Sequence, residues 1–288
     1  MDQTIIDLYD DYVHHHFDRR LFLDRLTKYT GGMSAALALL PLLQSNYALA
    51  ETVKEDDPRI TARWVEFPGA TGPVKAYLAE PKGTGRHGGV VVVHQNRGLN
   101  PHIQDIARRL ATEGYVALAV DFLSPLGGTP ADENAAMQMF AKLDPAQTTA
   151  NAVAAVAYLR SLPQVNGKIG AVGFCWGGGV INQLAVNDQT LDAGAVYYGT
   201  PPKPEEASKV HAVLLLNYAD PALDKRNGEL APGWAAALKA QGKLDGELNF
   251  YSGAQHAFND DTNAARYNKE AADLAWSRTL ALFKRTLS

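Results

Sequence analysis

The chain has 288 residues, 46% of them apolar and 20% charged, and a formal net charge of −4, enough chain to bury a large core. No long basic stripe is present, which argues against a nucleic-acid partner. The single cysteine excludes an internal disulfide, and neither CxxC nor HExxH spacing marks a metal site.

Residues 1–58 read as an N-terminal extension of a main domain spanning 59–288. Within the extension, "DRRLFLDR" (18–25) precedes the apolar "GGMSAALALLPLL" (31–43) and then "ALA" (48–50). Twin arginines, an apolar stretch and a small-x-small site describe a twin-arginine export signal. Asp18, Asp24 and Pro41 depart from that pattern, and the alternative is a helical arm packed on the domain. A cytoplasmic and a periplasmic location therefore both stay open. The apolar stretch is too short to anchor the chain permanently across a bilayer. Three adjacent histidines, His14, His15 and His16, would point in different directions on a helix, so they read as a solvated run and not as metal ligands.

From residue 60 the pattern is regular. "ITARWVEFP" (60–68) and "VKAYLAEP" (74–81) alternate as half-buried antiparallel strands do. "GGVVVVH" (88–94) is a continuous apolar run, as expected of a strand buried on both faces. "YVALAVD" (115–121), "KIGAVGF" (168–174), "AGAVYY" (193–198), "HAVLLLN" (211–217) and "GELNFY" (246–251) continue the series. Helical periodicity marks 101–114, 145–163 and 266–287. Strands alternating with helices predict an α/β fold, a mostly parallel central sheet with helices on both faces.

The only cysteine, Cys175, falls between the run "KIGAVGF" and the helix-like "WGGGVINQLAV". Gly173-Phe174-Cys175-Trp176-Gly177 is G-x-C-x-G, the thiol version of a strand–turn–helix nucleophile elbow. Glycines belong there because the turn brings two backbones too close for a Cβ. The helix N-terminus behind the sulfur favours the reactive thiolate. Among the eight histidines, His256 lies after the last strand-like run and before the C-terminal helix, where α/β-hydrolases present their base. His211 and His87 sit at the wrong ends of strands. The acid that orients the histidine should follow "AVLLLNY", where Asp220 and Asp224 both stand. A turn or capping role is open to each.

With these pieces assembled, the chain from about residue 60 resembles the dienelactone hydrolase family, carboxymethylenebutenolidase-like α/β-hydrolases with a Cys-Asp-His triad. The matching stretches are "VVVVHQNRGLNPHIQDIARRLATEGYVALAVDFLS", "GKIGAVGFCWGGG", "AVYYG" and "GAQHAFND". The resemblance implies Cys175 as nucleophile, His256 as base, and an acid within 220–224, with "LDKRN" pointing to Asp224 over Asp220. It also implies an oxyanion hole from the backbone N–H groups of Trp176 and Asn96. Two departures follow from the same alignment. Gln95 stands where family members commonly carry a glutamate, and an amide cannot take a proton. The arginines that grip the carboxylate of dienelactone are not evident: Asn259 and Asp260 follow "HAF", which leaves Arg97 as the candidate cation for substrate.

The expected chemistry is hydrolysis of a small ester or lactone through an acyl-enzyme, with no cofactor. Two rivals stand beside it: a promiscuous esterase or phosphotriesterase acting on activated esters, and a non-catalytic thiol sensor or scaffold. Nothing in the sequence speaks to oligomeric state.

Overall fold

The computed structural model describes residues 2–13, 17–47 and 51–288. The His14–His16 run and the "ALA" at 48–50 lie outside the described residues.

Among the described residues the extension contributes three helices, α1 (Gln3–Val13), α2 (Arg19–Thr30) and α3 (Met33–Leu43). Asp18, awkward in an export signal, is the N-cap of α2 and accepts a hydrogen bond from the Leu21 N–H, satisfying one of the orphan donors of the first turn. Gly31, at φ 76°, ends the same helix in the left-handed conformation. Leu8, Tyr9, Val13, Phe22, Leu26, Ala36 and Leu43 form a small core that also takes in Met137 of the main body. Among the described residues no helix is long and apolar enough to cross a membrane.

The main body is built on eight strands: β1 (Ile60–Gly69), β2 (Gly72–Pro81), β3 (His87–Val93), β4 (Val116–Val120), β5 (Val165–Phe174), β6 (Ala193–Tyr197), β7 (Val213–Ala219) and β8 (Asn249–Tyr251). They form one sheet in the order β1-β2-β4-β3-β5-β6-β7-β8. The β1–β2 and β2–β4 pairs are antiparallel and the rest are parallel. Its helices are α4 (Pro101–Thr112), α5 (Glu133–Phe140), α6 (Pro145–Ser161), α7 (Trp176–Asn187), α8 (Lys225–Ala240) and α9 (Lys269–Thr286). Side-chain alternation along β3 explains the two-sided cover: Val91 and Val93 join the core under α6, α7 and α8, while Val90 and Val92 join the core under α4 and α9. The expected α/β-hydrolase architecture is the one observed.

Two elements were not expected. The short α5 lies in a stretch without clear periodicity. Helix α8 carries Gly228, Pro232 and Gly233, a cluster that reads as a breaker. An interior proline costs about 3 kcal/mol. Trp234, fully buried two residues later, offsets it: 150–250 Å² of apolar burial is worth roughly 4–6 kcal/mol. In the other direction, the predicted strand 246–251 shrinks to its last three residues.

Candidate active site

Parallel strands all point the same way, so the loops leaving β3, β5, β7 and β8 gather at one edge of the sheet. That edge receives Asn96, Cys175, Asp224 and His256. Cys175 follows the last residue of β5 and precedes α7, and its backbone sits at φ 55°, ψ −117°. A non-glycine residue in such a conformation stores on the order of 1–3 kcal/mol of strain. The flanking glycines make the turn possible. A Cβ on Gly173 would lie 2.2 Å from the Gly177 carbonyl oxygen, and one on Gly177 would lie 2.5 Å from the carbonyls of Val93 and His94. Trp176 opens α7, so its N–H is among the first-turn donors with no partner inside the helix.

Three side chains converge in a line. His256 Nε2 lies 3.1 Å from Cys175 Sγ, and His256 Nδ1 lies 2.8 Å from Asp224 Oδ2. The carboxylate accepts, so Nδ1 carries the proton in this pair. Asp224 is also the N-cap of α8: its Oδ1 accepts from the Asn227 N–H at 3.3 Å, and its Oδ2 from Asn227 Nδ2 at 2.9 Å. Burial works against a charged Asp224, but His256 and these Asn227 donors outweigh it and hold its pKa at about 2. Burial likewise opposes the imidazolium of His256, yet the charges of Cys175 and Asp224 raise its pKa well above the ordinary 6.5.

Asp220 lies apart from this line. It is solvent-facing and accepts from the N–H groups of Ala222 and Gly253, at 2.9 and 2.8 Å. Its role is to fasten the loops after β7 and β8 to each other, and those backbone bonds lower its pKa.

A cavity of about 1060 Å³ opens over Cys175, with Trp176, Asn96, His256 and Asp224 on its walls. Phe140, Leu143 and Val180 make one side apolar. The Trp176 indole is clamped between the His94 ring, stacked at 5.5 Å and 13°, and the edge-on Phe140 ring at 4.8 Å. His94 is buried, which lowers its pKa; its Nδ1 contacts the Gln95 carbonyl at 2.7 Å and its Nε2 accepts from the Phe122 N–H at 3.2 Å. It is a neutral structural histidine.

Gln95 and Arg97 do not line this cavity. Both border a separate void of about 10 Å³ that Cys175 and His256 also touch, near the size that holds one water. The Gln95 amide nitrogen is buried there and finds no hydrogen-bond partner among the described residues. The expectation that Arg97 offers substrate a cation is corrected by its surroundings. Its guanidinium donates to Ser45 Oγ at 2.7 Å and the Tyr9 hydroxyl at 3.0 Å, and it lies 3.5 Å from Glu133. The extension covers it, leaving it 4% exposed.

Beyond His256, Asp261 pairs with both His102 and Arg109 of α4. Among the described residues His102, Asp260 and Asp261 are the group close enough to share a cation, but Arg109 already occupies Asp261. Burial opposes charge on His102, and Asp260 and Asp261 outweigh it and raise its pKa. The cluster therefore serves to tie the loop after His256 to α4.

Sequence reasoning missed three contributors. Tyr198, at φ 41°, packs its ring 5.1 Å from the His256 ring. Asn227 links Asp224 to the Tyr198 carbonyl; its place three residues after Asp224 was a capping signal, hidden because α8 itself was not read as a helix. Helix α1 sets Asp7, Asp10, Asp11 and Val13 on the cavity wall, and no local signal announces that.

The model of the dienelactone hydrolase family matches residues 74–287. "Putative hydrolase fragment YghX" of Escherichia coli (strain K12) is 48% identical over 113 residues, covering 38% of this chain and 97% of that one. "Putative carboxymethylenebutenolidase" of Saccharolobus solfataricus is 34% identical over 252 residues, 74% of this chain and 94% of its own. Among solved structures, "Putative Dienelactone Hydrolase from Klebsiella pneumoniae subsp. pneumoniae MGH 78578" superposes with a TM-score of 0.69 at 27% identity, covering 78% of this chain and 99% of that one. With the sheet order, the cysteine elbow and these likenesses together, the chain belongs to the dienelactone hydrolase family, and is a hydrolase of the α/β-hydrolase fold.

Proposed function

We propose that the protein hydrolyses esters or lactones through Cys175, with His256 as the proton carrier and Asp224 as the residue that orients it. The continuous contact Asp224–His256–Cys175 at 2.8 and 3.1 Å carries this reading. The Cys175 thiolate attacks the carbonyl carbon, a C–S bond forms, and the carbonyl π pair moves to oxygen. Backbone N–H groups of Trp176 and Asn96, both on the cavity wall, are suited to receive that oxyanion. Collapse expels the alkoxide, which takes the proton from His256 Nε2 and leaves a thioester. Water then attacks the thioester carbonyl while Nε2 takes its proton. The thiolate departs with its electron pair, and the imidazolium–thiolate pair is restored.

Asp224 stabilises the charged imidazole and keeps its tautomer fixed throughout. The apolar side of the cavity, from Phe140 to Val180, fits the hydrocarbon part of an ester. No carboxylate grip of the dienelactone kind is present at Asn259 and Asp260, which are buried. We therefore assign the ester or lactone class and not dienelactone itself.

The test is Cys175→Ala assayed on a panel of aryl esters and lactones. Turnover should fall roughly 10³-fold or more while the melting transition stays in place. Wild-type iodoacetamide labelling should reach one equivalent and abolish activity in proportion. Unchanged turnover in the variant would overturn the assignment.

A further inference from the structure

Helix α1 spans eleven residues, about 16 Å, and it touches both loops that carry the proposed chemistry. At its C-terminal end the Val13 carbonyl accepts from Asn96 Nδ2 at 2.7 Å. That carbonyl is one of the four a helix leaves unpaired, so Asn96 caps α1 while α1 pins Asn96. At the other end Gln3 and Gln255 exchange two side-chain hydrogen bonds, at 2.8 and 3.2 Å. Gln255 immediately precedes His256. Between the two ends, Tyr9 and Asp10 hold two buried arginines. The Tyr9 hydroxyl accepts from Arg97, next to Asn96. Asp10 pairs with Arg266, whose guanidinium also lies 5.1 Å from the centre of the Tyr9 ring. Arg266 belongs to the loop that runs from His256 to α9.

The Asp10–Arg266 pair sets the buried guanidinium of Arg266 against the extension. Removing one partner of such a pair leaves an uncompensated charge and is strongly destabilising where it sits. Here the cost would fall on the two loops that must hold the oxyanion donor and the base. A nucleophile–base alignment off by one ångström is enough to slow chemistry about a hundredfold.

We infer that α1 is a working part of the active site: a crosspiece that positions the Asn96 and His256 loops against Cys175 and closes one wall of the substrate cavity. The inference rests on the hydrolase reading given above. Tyr9 and Asp10 are positioning residues, acting through Arg97 and Arg266 and not on substrate. Removal of the extension, as an export signal would require, would dismantle the site.

The experiment uses the full chain and a short aryl acetate, small enough to react at Cys175 without filling the cavity. Tyr9→Phe, Asp10→Asn and the exchange Asp10→Arg with Arg266→Asp are compared with wild type. Measured are kcat, KM, the pH profile of Cys175 alkylation by iodoacetamide, and the melting temperature. Asp10→Asn should lower kcat about tenfold with KM changed less than threefold, and should shift the alkylation profile, because the loop bearing His256 relaxes. The exchange should recover at least a third of the lost kcat. Tyr9→Phe, which removes one hydroxyl while Ser45 and Glu133 still hold Arg97, should lower kcat two- to fivefold. A fall in melting temperature with kcat and the alkylation profile unchanged would overturn the inference, assigning the contacts to stability alone. Loss in Asp10→Asn with no loss in Tyr9→Phe and no recovery in the exchange would overturn it as well. A wild type inactive on every ester would instead sink the hydrolase reading.

Discussion

Cys175 and Asp10 border the same cavity, yet the chain brings them there by different physics. Cys175 is delivered locally: a buried strand, a turn at φ 55° and a helix start within a dozen residues dictate where its sulfur points. Parallel strand direction then brings Asn96, Asp224 and His256 to the same sheet edge. Asp10 is delivered by partners far along the chain, Arg266 above all, and by a small core of its own around Phe22 and Leu26. The strand-end site is rigid because its supports are short and backbone-built. The α1 wall depends on side-chain pairings with distant residues and on the small core that Leu8, Tyr9 and Val13 share with Met137.

The largest effect expected at the rigid site is loss of the imidazole partner. Asp224→Asn should slow ester hydrolysis roughly 10²–10⁴-fold, whereas Asp220→Asn should change it less than about threefold. The pH dependence of stability sharpens the contrast. Asp224 has its folded pKa depressed to about 2, so its contribution is present above the unfolded value near 3.8 and is lost as pH falls toward 2. His256, raised above 6.5, contributes below 6.5 and loses that contribution as pH rises through its folded pKa. Acid titration of Asp224→Asn should therefore show a smaller loss than wild type between about pH 4 and 2, the part carried by Asp261 remaining. Equal kinetic losses at Asp220 and Asp224 would break the claim that the local geometry decides the acid.

An intermediate effect is expected in the arm. Phe22→Ala empties a buried aromatic position in its core and should destabilise the arm by about 3–5 kcal/mol. Limited proteolysis should then cut first within residues 17–47, ahead of any cut in the sheet. Cleavage that begins in the main body would show that the two regions unfold as one.

The smallest effect is the most local. Gln95→Glu puts a carboxylate on the void shared with Cys175 and should move the alkylation profile toward higher pH by about one unit, since a like charge disfavours the thiolate. Superimposable profiles would place the Gln95 side chain outside electrostatic reach of the sulfur.

Much of this protein is legible in its residues because the relevant forces act over short stretches. The run "VVVV" declares a strand buried on both faces, and Gly173 and Gly177 declare a turn too tight for a Cβ. The position of His256 between the last strand and the last helix declares its place beside Cys175, because parallel strands all end on one side. The choice between Asp220 and Asp224 was not settled in the same way. Both lie within one loop, and only α8, disguised by Pro232 and held by the burial of Trp234, turns Asp224 inward as its N-cap. Arg97 read as a cation for substrate, and only the tertiary structure, by laying Tyr9 and Ser45 over it, removed it from that role. Sequence by itself determined the strands, the helices α4, α6, α7 and α9, and the sheet edge where Cys175 and His256 meet, since these follow from periodicity and backbone sterics. The pairing of Asp224 with His256, the α1 wall of the cavity and the burial of Arg97 were decided in three dimensions. Pairings across 88 and 256 residues, Arg97 with Tyr9 and Arg266 with Asp10, leave no periodic trace in the chain that makes them.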